Sequence, residues 1–102
     1  MSNTGYVDTT WCAVLAASGN VGDAGKAVDV VGYVIKSGGT AAVPYFINGG
    51  ATGTLYFQDQ ARAVSTSQSI GLAYRVRFPG GCYVSFDANT TAVTVFYQQM
   101  LT

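Results

Sequence analysis

The chain alternates between short apolar runs and clusters of glycine and polar residues, and the alternation has the period of a β-strand wherever it is clear. Val28 to Lys36 is β-branched and aromatic, and Ser37-Gly-Gly-Thr40 closes it as a turn. Ala41 to Asn48 follows as an edge or bulged strand, because Pro44 has no N–H to donate to a ladder. After Gly49 to Gly53, Thr54-Leu-Tyr-Phe-Gln58 places Leu55 and Phe57 on one face and Tyr56 on the other. Ala73 to Phe78 alternates with Tyr74, Val76 and Phe78 inward and Arg75 and Arg77 outward. Phe78 to Gln98 then reads as a hairpin entered through Pro79-Gly-Gly. Its inward set is Cys82, Val84, Phe86, Val93, Val95 and Tyr97.

The first half is less regular. Residues 1–10 read as an extended arm, with only Tyr6 and Val7 apolar among Ser, Asn, Thr, Gly and Asp. Thr10 to Ala17 could be helical through its alanines, but Trp11, Val14 and the Ser-Gly-Asn ending favour a strand. Val21 to Lys26 is rich in turn residues, and Gln60 to Ser69 is polar without sustained period, so it reads as the longest loop. Six to eight short strands with no convincing helix predict an all-β fold: residues 11–102 as one antiparallel β-sandwich, jelly-roll-like, behind the arm.

Composition narrows the function by what it lacks. The 102 residues contain no histidine and no glutamate, and five basic residues balance five aspartates. A nucleophile with a histidine base is therefore excluded, and the aspartates sit at turns and strand ends with no paired-carboxylate motif. The glycine pairs precede no helix in a phosphate-loop pattern, and no calcium loop is present. No enzyme activity, cofactor or metal site is expected. Cys12 and Cys82 stand far apart without CxxC spacing, which argues against zinc and leaves a disulfide open. A net charge of zero offers no general attraction to nucleic acid or to an anionic membrane, and no apolar run approaches the ~18 residues of a spanning helix. The N-terminus lacks the basic and apolar regions of a secretory signal, so the protein is expected to act where it is made or to leave by lysis or assembly.

With only 10% charged residues the surface must be neutral polar and partly aromatic, a composition poorly protected against association. The candidate contact residues are apolar side chains in polar surroundings and outward aromatics or arginines: Tyr6, Val7, Trp11, Tyr56, Arg75, Arg77, Tyr83 and Phe96. A single-stranded nucleic-acid platform would use similar residues, but the lack of net positive charge weighs against it.

The segment Val34-Ile-Lys-Ser-Gly-Gly-Thr-Ala-Ala-Val-Pro-Tyr-Phe-Ile-Asn-Gly-Gly-Ala-Thr-Gly-Thr-Leu-Tyr-Phe57, with Phe78-Pro-Gly-Gly-Cys-Tyr-Val84 and Thr91-Ala-Val-Thr-Val-Phe-Tyr97, resembles small structural proteins of tailed bacteriophages. The resemblance covers roughly residues 28 to 98, and Met1 to Asn20 departs from it. It implies a head decoration or cement protein: a homo-oligomer, by family habit a trimer, made in the host cytoplasm and bound to the major capsid protein on the virion surface. It implies no catalytic residue, nucleic-acid partner or membrane. The alternative is a receptor- or glycan-binding module of a tail or fibre.

Overall fold

A computed structural model describes residues 10–38, 42–60 and 67–99, which form eight strands and no helix. In chain order they are β1 (Trp11–Leu15), β2 (Gly19–Val21), β3 (Val28–Ser37), β4 (Tyr45–Asn48), β5 (Thr54–Gln58), β6 (Ser67–Phe78), β7 (Cys82–Ser85) and β8 (Thr90–Gln99). They make two four-stranded antiparallel sheets of order β1-β8-β3-β6 and β2-β7-β4-β5. First pairs with last, second with seventh, third with sixth and fourth with fifth: a long antiparallel ribbon rolled up on itself, which is the jelly roll. The sandwich expected from the sequence is the fold observed.

Valine and aromatic residues at alternate positions fill the space between the sheets. Val28, Val30, Tyr33 and Ile35 of β3 and Val93 and Val95 of β8 meet Phe46 of β4 and Cys82 and Val84 of β7, all buried. An aromatic cluster closes one side: Phe46 lies 4.8 Å from the Tyr33 ring and 4.5 Å from Phe57, and Tyr56 stacks on Phe78 at 5.0 Å. The Tyr33 hydroxyl donates to Asp59 Oδ2 at 2.9 Å. Burial, and then this hydrogen bond and charge, raise the Tyr33 pKa.

The structure departs from the sequence-based expectation in four places. The Cys82 and Val93 strands do not pair as a hairpin. β7 and β8 lie in opposite sheets, joined by a turn in which Thr90 N–H donates to Asp87 O and Asn89 N–H to Asp87 Oδ1. A hairpin would have left two apolar faces on one side looking for a cover, whereas crossing the core lets them bury each other. The expected loop over residues 60–69 ends early, because Ser67, Gln68 and Ser69 pair with Lys36, Ile35 and Val34. Partner strands, not local propensity, decide this segment.

Tyr74 does not point inward: it is 87% exposed. One β3 residue, Val31, separates Val30 from Gly32, while the matching partners Val76 and Gly71 are separated by residues 72–75, so β6 makes an excursion that carries Tyr74 out. Tyr56 is also displaced. Phe46 opposes Phe57 and Ile47 opposes Leu55, so Tyr56 is the extra residue of a bulge. Both its ring and that of Phe57 turn toward Phe78, and Leu55 is left half-exposed.

Candidate functional site

The outer face of the β1-β8-β3-β6 sheet carries the most developed surface. Strand alternation puts Cys12 and Val14 of β1, Thr94, Phe96 and Gln98 of β8, and Asp29, Gly32 and Val34 of β3 on this side, opposite the core set. Gly32 and Gly71 face each other on neighbouring strands. A side chain at Gly32 would press on the Ile70 carbonyl at 2.9 Å, but one at Gly71 would meet nothing within 4 Å. Two facing glycines thus form the floor of an open trench of about 470 Å³, walled by Val31, Val34, Ile70 and Phe96 with Thr10 at its end. The trench is mostly apolar. Phe96, 37% exposed, stands at its rim.

Beside the trench lies a polar cluster built around one buried carboxylate. Asp29 is fully buried although its strand neighbours are apolar. Arg77 donates Nε–H to Oδ1 at 2.9 Å and Nη2–H to Oδ2 at 3.2 Å, a bidentate clasp, and Arg75 Nη1 stands 3.8 Å from Oδ2. Arg75 also donates to Gln98 Oε1, and Gln98 Nε2 donates to Thr10 Oγ1 at 3.5 Å. Both guanidinium side chains remain more than half exposed while the carboxylate is sealed. The pair of arginines is therefore held in place from below, and the three side chains Arg75, Asp29 and Arg77 together carry one net positive charge.

A second, more polar cleft of about 500 Å³ opens at the β1 edge, lined by Trp11, Cys12, Gly22, Asp23, Tyr97 and Gln99. Trp11 and Tyr97 lie 5.9 Å apart across the β1–β8 pair. Gln99 bridges to the turn after β2: Asp23 N–H donates to its Oε1 at 2.7 Å, and its Nε2 donates to Asp23 Oδ2 at 3.1 Å. Gly22 makes this possible, since its φ of 72° suits glycine and a Cβ there would collide with Gln99 Oε1 and stand 3.0 Å from Tyr97 Cε2. Burial, then the Asp23 charge and Cys12, raise the Tyr97 pKa.

The candidate contact residues distribute unevenly over this framework. Arg75, Arg77 and Phe96 come together on the outer sheet face, with Trp11 at its margin on the inward side of β1. Tyr83 lies half-buried on the outside of the other sheet, opposite Asn20 and Ile47, and Tyr56 closes the sandwich edge against Phe78. Tyr6 and Val7 fall outside the described residues. Cys12 is exposed and Cys82 buried in the other sheet, both as free thiols, and burial pushes the Cys82 pKa up to about 12. Among the described residues no three metal-ligating side chains gather. Sequence reasoning missed Asp29, Gly32, Gly71 and Val14. The signals were present as a single aspartate inside a valine run and glycines inside strand patterns. Compared with known protein families, curated proteins and solved structures, the chain gives no match.

Proposed function

We propose that the protein is a structural component of a virion, a head decoration protein that lies on the assembled shell through the outer face of the β1-β8-β3-β6 sheet and joins neighbouring copies of the major capsid protein. The observation that carries this reading is the apolar trench over Gly32 and Gly71, open on a face with few charges and flanked by the fixed Arg75–Asp29–Arg77 cluster. Such a face buries apolar area on contact while the arginines, already immobilised, set orientation at little entropic cost. The fold adds support by analogy, because jelly rolls recur among capsid proteins, although one fold hosts many functions. A protein acting this way stabilises the shell to the extent that it binds the lattice better than free capsid subunits.

Gly71→Asp tests the reading, since the new side chain meets no atom within 4 Å yet places charge in the trench. Heads stripped of the protein should regain heat resistance with the wild type and not with the variant. Equal rebinding by both would remove the trench from the contact, and equal robustness of bare and decorated heads would end the cement role. The Trp11–Tyr97 cleft favours a second reading, a glycan-binding module of a tail or fibre, because an accessible indole beside Asp23 and Gln99 can stack on a sugar ring and hydrogen-bond its hydroxyls. Density confined to the tail in a reconstruction of the particle would favour that reading; regular density over the shell would favour decoration.

A further inference from the structure

A sandwich of two open sheets has four edge strands, here β1 and β6 in one sheet and β2 and β5 in the other. Exposed edges invite pairing with another chain, and native proteins blunt them with charge, proline, bulges or shortness. Three of these four are blunted. β6 carries the excursion at 72–75 and two arginines, β5 carries the Tyr56 bulge, and β2 is three residues long. β1 has none of these devices: Trp-Cys-Ala-Val-Leu contains no charge, proline or glycine, and its ladder with β8 runs without a register shift. Among the described residues no strand pairs with its other side. Val14 is 69% exposed on it.

The strand is also self-complementary. About a centre at Ala13 the side chains run large, small, alanine, small, large, with Cys12 and Val14 on the outer face and Trp11 and Leu15 on the inner one. A two-fold axis through Ala13 would set Cys12 of one copy opposite Val14 of the other, and Trp11 opposite Leu15, so that each residue meets a partner of compatible size. No charge on the strand opposes the approach.

We propose that β1 pairs antiparallel with β1 of a second copy about a two-fold axis at Ala13, joining the two sheets into one of eight strands. The axis of such a pair stands perpendicular to the sheet, so both trenches and both arginine clusters face the same way. The pairing stands on the edge strand alone and does not depend on the decoration reading. Five paired residues make a small interface, below the ~1,200 Å² of stable complexes, so the dimer forms in a concentration-dependent manner.

Sedimentation equilibrium of the full chain under reducing conditions, over a wide concentration range, measures the association, and Val14→Lys should weaken it by about tenfold or more through a charge on the shared edge. Because Val14 is exposed, the variant should keep the wild-type unfolding transition. Register is read separately by oxidation. In the proposed pair Cys12 lies diagonal to its own copy, ~7–8 Å away and out of disulfide reach, but directly opposite position 14. Val14→Cys should therefore form a covalent dimer rapidly and the wild type slowly. A wild type that stays monomeric throughout, association unaffected by Val14→Lys, or faster oxidative dimerisation of the wild type than of Val14→Cys would each overturn the proposal. Rebinding to stripped heads is scored independently, so a failed dimer and a failed decoration role are told apart.

Discussion

Removing Arg77 should cost far more stability than removing the carboxylate it holds. Asp29 is fully buried, and Arg77 supplies two of its hydrogen bonds at 2.9 and 3.2 Å, while the Arg77 side chain is 58% exposed. In Arg77→Ala the carboxylate loses its bidentate partner and, among the described residues, keeps Arg75 at 3.8 Å as a neighbouring cation. Breaking a buried pair from this side costs about 3–5 kcal/mol. Water reaching the carboxylate where the guanidinium stood and Arg75 moving closer offset part of that, since a charge 3.8 Å away is worth about 4 kcal/mol gross at an effective dielectric near 20. The expected net loss is about 3 kcal/mol. In Asp29→Asn the arginines are already largely hydrated and the amide oxygen still accepts one hydrogen bond, so the loss is about 1 kcal/mol. The double variant should also lose only about 1 kcal/mol, so that Asp29→Asn rescues about 2 kcal/mol in the Arg77→Ala background. Urea unfolding followed by the fluorescence of Trp11, the chain's one tryptophan, resolves this. With a slope of ~1 kcal/mol per M, Arg77→Ala shifts the midpoint by ~3 M and the second substitution restores ~2 M. Additive losses in the double variant would refute the uncompensated-charge reasoning.

The remaining expectations concern the core, the thiols and the β2 turn. Phe46→Ala should cost about 4 kcal/mol through the cavity and the lost ring contacts, against about 1 kcal/mol for Phe46→Leu, and a loss below about 1 kcal/mol by urea titration for the alanine variant would contradict the burial of Phe46 between Tyr33 and Phe57. A thiol reagent should modify Cys12 at once and Cys82 only on unfolding. The Cys82 pKa is raised from 9.0 to about 12 in the fold, so its contribution is complete below pH 9 and lost as pH climbs toward 12; Tyr33 acts in the same direction, and Cys82→Ala should flatten the alkaline decline in urea midpoint. Gly22→Ala should cost about 2 kcal/mol, because positive φ and the Gln99 clash add, and should separate Gln99 from Asp23; unchanged stability and Trp11 emission would count against that packing.

The all-β class was legible because period-two alternation is a local property, and it marked β3, β5, β7 and β8 close to where they lie. Alternation tells which face of a strand is buried, not which strand lies beside it. That is why Val84 and Val95 were correctly placed inward while β7 and β8 were wrongly joined to each other. Ser67 to Ser69 carry no strand signal of their own and became a strand through β3. Tyr74 and Tyr56 broke the pattern because an extra residue in a ladder resets the alternation, and nothing in the identity of either residue announces the insertion. The candidate site was legible in its exposed members, Phe96, Arg75 and Arg77. Its organising residue, Asp29, acquires meaning only once Arg77 is seen opposite it across the β3–β6 ladder.

The pairing of β1 with β8 also bears on how the protein is born. Trp11 meets Tyr97 and Leu15 meets Val93, so the first of the eight described strands finds its partner only in the eighth. Each of the four ribbon pairs except β4–β5 joins segments distant in sequence, and such topologies fold slowly because loop closure precedes the reward of contact. On a translating ribosome the valine-rich β3 would wait for both of its neighbours, β6 and β8, while the β4–β5 ribbon could form at once. Release of β8 from the exit tunnel is then the event that commits the chain to its native sheet, and a pulse-labelled nascent chain should become protease-resistant only after that point.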